Sequence, residues 1–492
     1  MKKSIQLNQD NLEQIGNHIP VPNYNRTSET ADIVHIGVGG FHRSHLAYYV
    51  HLLKNSGEAS SLCGIGLREG DQNLHDIFKK QDHLYTLMVK HPDGKIEPEI
   101  IGSIIDFKMG TTDPEAVISQ MAHKNTRIVS LTITEGGYNF NPTTGEFNFD
   151  NPDIQHELRH PNDPKTVYGF LTAALKRRRD AGLPAFTIMS CDNIEHNGDM
   201  ARKMLLAFAE TQNPDLAKWI AKEVTFPNSM VDRITPVTTP ADIDILAQNS
   251  GVQDAWPVTC EPFIQWVVED KFSNGRPAFE KVGVQFVPDV GPYEKMKLRL
   301  LNAGHSVMGI LGAIHGHPTI NACVEDELFA KYLGAFLDEE ATPILGPIIG
   351  IDLEDYKDSL LERFANPNIK DSVSRICSES SAKLPKFLIP TIQENLATGG
   401  CIKFATLVLA AWCYYSDKQA DQNGEPLEII DAMQDELHKA ATATSSDPLA
   451  FIRQESLFGE LAENERFATT YTDMIQELYK TSEVKKLMRS LL

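Results

Sequence analysis

Residues 31–53 read ADIVHIGVGGFHRSHLAYYVHLL: a short apolar run, a glycine-rich turn, then apolar positions recurring at helical spacing. That pattern predicts a buried strand, a tight turn and a helix packed on one face. Further strand candidates are SSLCGIGL (60–67), LYTLMV (84–89), TRIVSLTIT (126–134) and AFTIMSC (185–191). Helix-patterned stretches alternate with them, notably VYGFLTAALKRRRDAG (167–182). Such alternation predicts an open, largely parallel α/β sheet. From about Tyr293 the pattern changes. YEKMKLRLLNAGHSVMGILGAI, DELFAKYLGAFLDEEATPIL, IKFATLVLAAWCYY and PLEIIDAMQDELHKA are helix-patterned, with few strand candidates between them. The predicted boundary lies near residue 290, giving an α/β domain over 1–290, entered by a polar, proline-marked arm, and a mainly α-helical domain over 291–492.

The 492 residues, 41% apolar and 23% charged, are those of an ordinary globular chain of two or three domains. The formal net charge of −21 opposes phosphate backbones and anionic lipid, so neither nucleic acid nor a membrane is an expected partner. Seven cysteines are scattered singly without a CxxC pair, which argues against a disulfide framework or structural zinc. The start MKKSIQLNQDNLEQ lacks the apolar stretch of a signal peptide. The longest apolar run, Phe404 to Tyr415, is about half of what crosses a bilayer. The expected location is the cytoplasm.

Two places concentrate chemistry. Gly37, Gly39 and Gly40 lie between predicted strand and helix, the context of a dinucleotide fingerprint, where backbone N–H groups approach a pyrophosphate. The α/β domain is therefore expected to be of Rossmann type, with the cofactor against the turn that runs from Ile36 through Gly37, Val38 and Gly39 to Gly40. The third glycine of GxGxxG is replaced by His42. Arg68, Glu69 and Asp71 follow the second strand and fall where a ribose would rest. Two acids there repel a 2′-phosphate and favour NAD over NADP, although Arg68 pulls the other way.

The second place is KLRLLNAGH (297–305), a polar set on an apolar helix. At about 100° per residue, Lys297, Asn302 and His305 fall within an arc of roughly 140°, with Arg299 directed elsewhere. A buried polar cluster must be hydrogen-bonded or line a cavity. A lysine in a dry cleft can act as a base near neutral pH, and asparagine amides can donate to a developing oxyanion. His42–x–x–His45 and His315–x–His317 raise zinc as a rival. The first pair sits where pyrophosphate belongs and no cysteine set accompanies either, so no metal is expected.

HIGVGGFHRSH (35–45), LTITEGGY (131–138), MSCDNI (189–194), FPNSMVDRITP (226–236), CEPFIQWVVED (260–270) and KLRLLNAGHS (297–306) run in order along the chain. With them the sequence resembles the polyol-specific long-chain dehydrogenase/reductase family, from about residue 30 to beyond 410. GLREGD (66–71) and LYTLMVKHPDG (84–94) favour the mannitol-oxidising branch over the uronate reductases. The resemblance implies NAD-dependent, reversible oxidation of a small-molecule polyol to a ketose by a metal-independent, monomeric enzyme. Fructuronate reduction and D-arabinitol oxidation are the alternatives. By the same resemblance Lys297 is the general base, Asn193 and Asn302 form an oxyanion hole, and Glu294 relays the proton to solvent. His305, Arg375, Lys383 and Asp232 would hold substrate hydroxyls, and Gly37, Gly39 and Phe41 would frame the cofactor. Simpler roles stay open: Asp232 and Arg233 as an ion pair, Arg375 and Lys383 as surface charges, and Glu294 as a helix N-terminal acid.

Overall fold

The apolar runs of the first half form a five-stranded parallel sheet: β1 (Ile33–Ile36), β2 (Leu62–Gly66), β3 (Ile104–Met109), β4 (Ile128–Leu131) and β5 (Thr187–Ser190). The spatial order is β3-β2-β1-β4-β5. The computed structural model describes residues 4–26, 30–141 and 144–492. Every residue of β1, β2, β4 and β5 is buried, because helices cover both faces of the sheet and make its strands continuously apolar. Successive side chains still part to opposite faces. Val34, Ile36, Cys63, Ile65, Val129 and Leu131 join one core, with helices Pro114–Ala122, Val167–Asp180 and Asn197–Gln212. Ile33, Leu62, Ile104, Ile128 and Met189 join the other, against α1 (Leu46–Asn55).

Two details depart from the sequence pattern. The LYTLMV run is not in this sheet. It forms strand Tyr85–Lys90 of a separate three-stranded sheet, parallel to Val258–Cys260 and antiparallel to Ile96–Ile101. The edge strand β3, IIDFKM, carries Asp106 and Lys108, whose charges pair at 2.6 Å on a half-buried face. Those charges break the apolar run and suit an edge.

Contacts divide the chain into two units, Met1–His91 with Lys95–Gly291 and Pro92–Gly94 with Pro292–Leu492. The described part of the second unit contains no β-strand beyond isolated bridges, as the mainly α-helical expectation requires. α2 (Gly291–Lys297) runs through a π-helical turn, Leu298–Asn302, into α3 (Ala303–His315). Then come α4 (Glu327–Phe336), a second π turn at Leu337–Ala341, α5 (Ile389–Thr398), α6 (Lys403–Lys418) and α7 (Glu465–Thr481). Further helices, Leu353–Phe364 among them, complete the unit. From Phe404 to Ser416 every residue of α6 is buried, so the long apolar run is a core helix, which packs against α3 and α7. No helix among the described residues is long and apolar enough to cross a membrane.

A helix buried on all sides still has orphan N–H groups at its start. Glu340, fully buried in the second π turn, accepts from Phe404 N at 2.7 Å and Ala405 N at 2.9 Å. Burial pushes its carboxyl up to about 7, against the pull of those donors. Glu340→Ala strands both donors and leaves a void, so it should cost about 3 kcal/mol, with Glu340→Gln losing less. Chemical denaturation of wild type and variants measures this, and a loss below about 1 kcal/mol for the alanine variant would show the cap to be dispensable.

Candidate functional site

Unit 1 collects polar and glycine residues at the carboxyl ends of its parallel strands, where open α/β sheets bind ligands. Gly37 follows β1 with φ +94°, and a Cβ there would lie 2.1 Å from the Thr132 carbonyl oxygen. Only glycine fits. Thr132 Oγ1 donates to Gly37 O at 2.7 Å, and the His35 ring spans Thr132 Oγ1 at 2.9 Å and Ser130 Oγ at 2.8 Å. Two side chains of the β4 region thus tie down the turn. Gly39 caps the short helix Gly40–Ser44. A Cβ on Gly39 would meet nothing nearer than Gly37 O at 3.9 Å, and one on Gly40 nothing nearer than Thr235 Cγ2 at 3.7 Å. The backbone here is open to a ligand that a side chain would obstruct, as a pyrophosphate-binding turn requires.

Around the turn, Ile36 is buried at the end of β1, and Val38 packs where a Cβ on Gly64 would lie 2.7 Å from its Cγ2. Phe41 stacks on His45 at 4.9 Å. His42, standing where the third glycine is usual, is buried with its ring flat on His35 at 3.4 Å. That glycine ordinarily permits close helix–strand packing; here two stacked rings fill the junction. Neither nitrogen of His42 has a hydrogen-bond partner among the described residues. Burial, with the neighbouring His35, Arg43 and His45, holds His42 well below its usual pKa, and burial lowers His35 to about 3. His45 Nε2 is bonded to Gln265 O at 2.9 Å, so the HxxH rings face different partners.

Past β2, Asp71 Oδ2 accepts from Leu67 N and Arg68 N, both at 3.1 Å, and Oδ1 lies 3.1 Å from Arg68 Nη2. The carboxylate closes its own turn, while Glu69 beside it is exposed. A cavity of about 220 Å³ opens here, with Ile36, Gly37, Arg68 and Asp71 on its wall and Glu69 off it. Thr132, Thr134 and Lys165 also line it. The first two follow β4, which adjoins β1 at the point where strand order reverses, so topology alone flags them. Asp192 fixes that loop: it accepts from Ile133 N (3.1 Å), Thr134 N (2.8 Å) and Tyr138 OH (2.8 Å), and burial raises its carboxyl. Asn193, the next residue, is exposed beyond β5. Asp232 is buried at the end of strand Ser229–Asp232, while Arg233 donates to the carbonyls of Ser44 (2.6 Å) and Glu261 (3.1 Å).

In unit 2, Lys297, Asn302 and His305 are each buried to 8% exposure. Their helix is not regular between the first two. A regular α-helix sets residues five apart at about 140° around the axis. The π turn at Leu298–Asn302 uses i→i+5 bonding, which brings Lys297 and Asn302 onto one side. Glu294 is buried one turn earlier. Asn302 Nδ2 and His305 Nε2 have no hydrogen-bond partner among the described residues, and buried polar atoms of that kind mark a place where a ligand bonds. The His305 ring stacks on Phe364 at 4.0 Å. Burial first, then Arg375, Arg363, Lys383 and Lys297, keeps His305 well below its ordinary pKa and therefore neutral.

Arg375 and Lys383 thus lie near enough for their charges to act on His305. Arg375 is half-exposed and gripped by Asp371 through two contacts, one of 2.6 Å. Lys383 Nζ donates to Ile376 O at 3.2 Å, and burial lowers its pKa. Residues two before and two after Lys297 are also anchored. Lys295 Nζ reaches Glu394 Oε2 (2.6 Å) and Ile344 O (2.8 Å), and Arg299 reaches Lys386 O (2.9 Å) and Glu394 Oε1 (3.4 Å). Asp371 was discoverable as the i−4 partner of Arg375. Glu394, almost a hundred residues from the helix it holds, carried no sequence signal.

Comparison with known proteins gives a consistent result. The family profile described as "Mannitol dehydrogenase Rossmann domain" matches residues 31–281, and "Mannitol dehydrogenase C-terminal domain" matches 289–479. Mannitol 2-dehydrogenases of Neosartorya fischeri and Emericella nidulans are each 44% identical over 496 residues, covering 98% of both chains. Among solved structures, the Pseudomonas fluorescens mannitol 2-dehydrogenase in ternary complex with NAD and D-mannitol is 44% identical, with TM-score 0.90 and 99% of each chain covered. A D-sorbitol dehydrogenase in substrate-free form is 34% identical, with TM-score 0.91 over 98% of this chain and 100% of that one.

The stacked histidines give a test of the glycine turn. Unfolded histidine titrates near 6.5, whereas in the fold His35 is lowered to about 3 and His42 well below its usual value. Below pH 6.5 the unfolded chain binds protons that the native rings refuse, so stability falls as pH drops from 6.5 toward 3. The slope is up to about 1.4 kcal/mol per pH unit for each ring. His42→Phe should remove one such contribution and flatten the acid limb of stability against pH. Denaturation midpoints at pH 7, 6 and 5 measure it; an unchanged limb would mean that His42 takes up its proton inside the fold.

Proposed function

The chain belongs to the mannitol dehydrogenase family, and on that premise we propose that it is an NAD-dependent polyol dehydrogenase that interconverts D-mannitol and D-fructose. The observation that carries this reading is 44% identity to mannitol 2-dehydrogenases over 98% of both chains. Supporting it, the charges of Arg375 and Lys383 act on His305, which shares its helix run with Lys297. The Pseudomonas fluorescens relative holds NAD and D-mannitol.

NAD bound at the glycine turn supplies the hydride acceptor. Gly39 and Gly40 offer open backbone to its pyrophosphate, with Gly37 making the turn and Ile36, Val38 and Phe41 shaping it. Glu69 and Asp71 oppose a 2′-phosphate at the ribose, and Asp71 does so while bracing its own turn. Lys297 takes the hydroxyl proton as hydride leaves and returns it in ketose reduction. Burial and neighbouring positive charge favour an unprotonated amine, and Lys297 is buried beside such charges. Glu294, one turn away, passes the proton toward solvent. The amides of Asn302 and Asn193 donate to the oxyanion, which leaves no step that needs a metal. Neutral His305, Arg375, Lys383 and Asp232 hold the remaining hydroxyls. A second reading has one observation in its favour: the positive charges of Arg375, Arg363 and Lys383 that act on His305 also suit the carboxylate of a sugar acid.

A rate panel of mannitol, arabinitol, sorbitol, fructose and fructuronate with NAD and NADP, in their oxidised or reduced forms as each substrate requires, tests the assignment. Mannitol and fructose with the NAD couple should give the highest kcat/KM. Fructuronate in first place would transfer the enzyme to the sugar-acid reductases. Lys297→Ala should lower kcat by at least about a thousandfold with cofactor affinity nearly intact. Asn302→Ala and Asn193→Ala should each cost about a hundredfold. A lysine variant that kept a tenth of wild-type turnover would place the base elsewhere.

A further inference from the structure

The distal end of α3 holds a second cluster of ligating side chains that the proposed dehydrogenase chemistry does not use. His315 is the last residue of α3, Gly316 reverses the chain at φ +92°, and His317 follows. Asp326 is the N-cap of α4, and its Oδ1 accepts from Leu328 N at 3.1 Å. One ligand atom from each of His315, His317 and Asp326 lies within 4.8 Å of the others, and all three residues are partly buried. The two rings meet edge-on at 4.7 Å, and both pack against Phe329. His317 Nε2 is buried and makes no hydrogen bond with the described residues; the nearby Asp326 Oδ2 is 3.5 Å away.

We propose that His315, His317 and Asp326 bind a divalent transition-metal ion of the zinc type. Two imidazoles and one carboxylate suit Zn²⁺, Cu²⁺ or Ni²⁺, whereas Mg²⁺ and Ca²⁺ take oxygen donors. Three protein ligands leave a fourth position for water, and a modest closing of the side chains brings the donors to about 2 Å from a shared centre. Two neighbours now contact the same side chains. Lys485 pairs with Asp326 Oδ2, and Gln422 Nε2 lies 2.7 Å from His315 Nδ1. An arriving cation displaces the Lys485 ammonium, and the cap on α4 survives because it uses the other oxygen. The site stands apart from the proposed catalytic residues: His315 lies ten positions beyond His305 on α3, about 15 Å along the axis. Its role is therefore to brace the end of α3 against the start of α4.

Titration calorimetry of the full chain, tag-free and chelator-treated, with ZnCl₂ in a non-coordinating buffer tests the site. One zinc should bind per chain. His317→Ala and Asp326→Asn should each weaken binding at least about tenfold, the second without removing the α4 cap. Lys485→Ala should tighten it about threefold or more, because a competing charge is gone. X-ray absorption of the zinc-loaded protein should show nitrogen and oxygen ligands including imidazole. Absence of stoichiometric uptake at about 100 μM zinc, or variants that bind as wild type does, overturns the proposal, as does sulfur in the coordination sphere. Should His317→Ala fail to fold, His317→Gln carries the same readout.

Discussion

The π turn at residues 298–302 is the constraint around which the candidate site of unit 2 is built. A regular helix would spread Lys297 and Asn302 too widely to serve one substrate atom, and widening one turn is the local remedy. Such turns are rare because their bonding is poorer than that of the α-helix, so this one needs outside support. Glu394 provides it by gripping Lys295 on one side of Lys297 and Arg299 on the other. These pairs are partly exposed, so their stability contribution is modest. Their value is geometric, since they hold both flanks of the turn in one rotational setting.

A related rule explains the acids. The chain carries a net charge of −21, yet several of its buried carboxylates are committed to backbone N–H groups. Glu340 caps α6, Glu157 receives the N–H of Lys165 and Thr166, and Asp192 holds the loop after β4. The partly buried Asp71 closes the turn after β2 in the same way. Buried N–H donors must be satisfied, and a carboxylate satisfies two at once. The excess of acid elsewhere leaves room for the opposite arrangement at His305, where Arg375, Arg363 and Lys383 bring positive charge together.

This division sets how much the sequence could reveal. Strand–helix alternation gave the α/β class, because β1, β2, β4 and β5 are buried on both faces and read as apolar runs. It missed β3, where edge charges interrupt the run, and it could not assign Tyr85–Lys90 to a different sheet, since sheet membership is a long-range property. At the sites, spacing exposed the glycine turn and the polar face of the lysine helix. It assumed a regular helix, and nothing in LRLLN marks a π turn. Arg375 and Lys383 could be named only through family resemblance, for their approach to His305 depends on how α3 packs. Asp71 shows the reverse limit: its position was legible, but its commitment to Leu67 and Arg68 was not.

The same packing explains why a polar cluster can persist in an apolar helix. Asn302 Nδ2 and His305 Nε2 are buried without protein partners among the described residues, each at a cost of about 1–3 kcal/mol. A cluster of cations near a neutral ring adds to that cost. The unit tolerates it because α6, buried on every side, packs against α3, and because the Phe364 ring fixes His305 by stacking rather than by a hydrogen bond. Stacking leaves Nε2 available. A ligand hydroxyl that bonds to these atoms recovers free energy that folding left unrealised, so binding and local stability are coupled. Greater native stability there, achieved by giving these atoms protein partners, would close the site to its ligand.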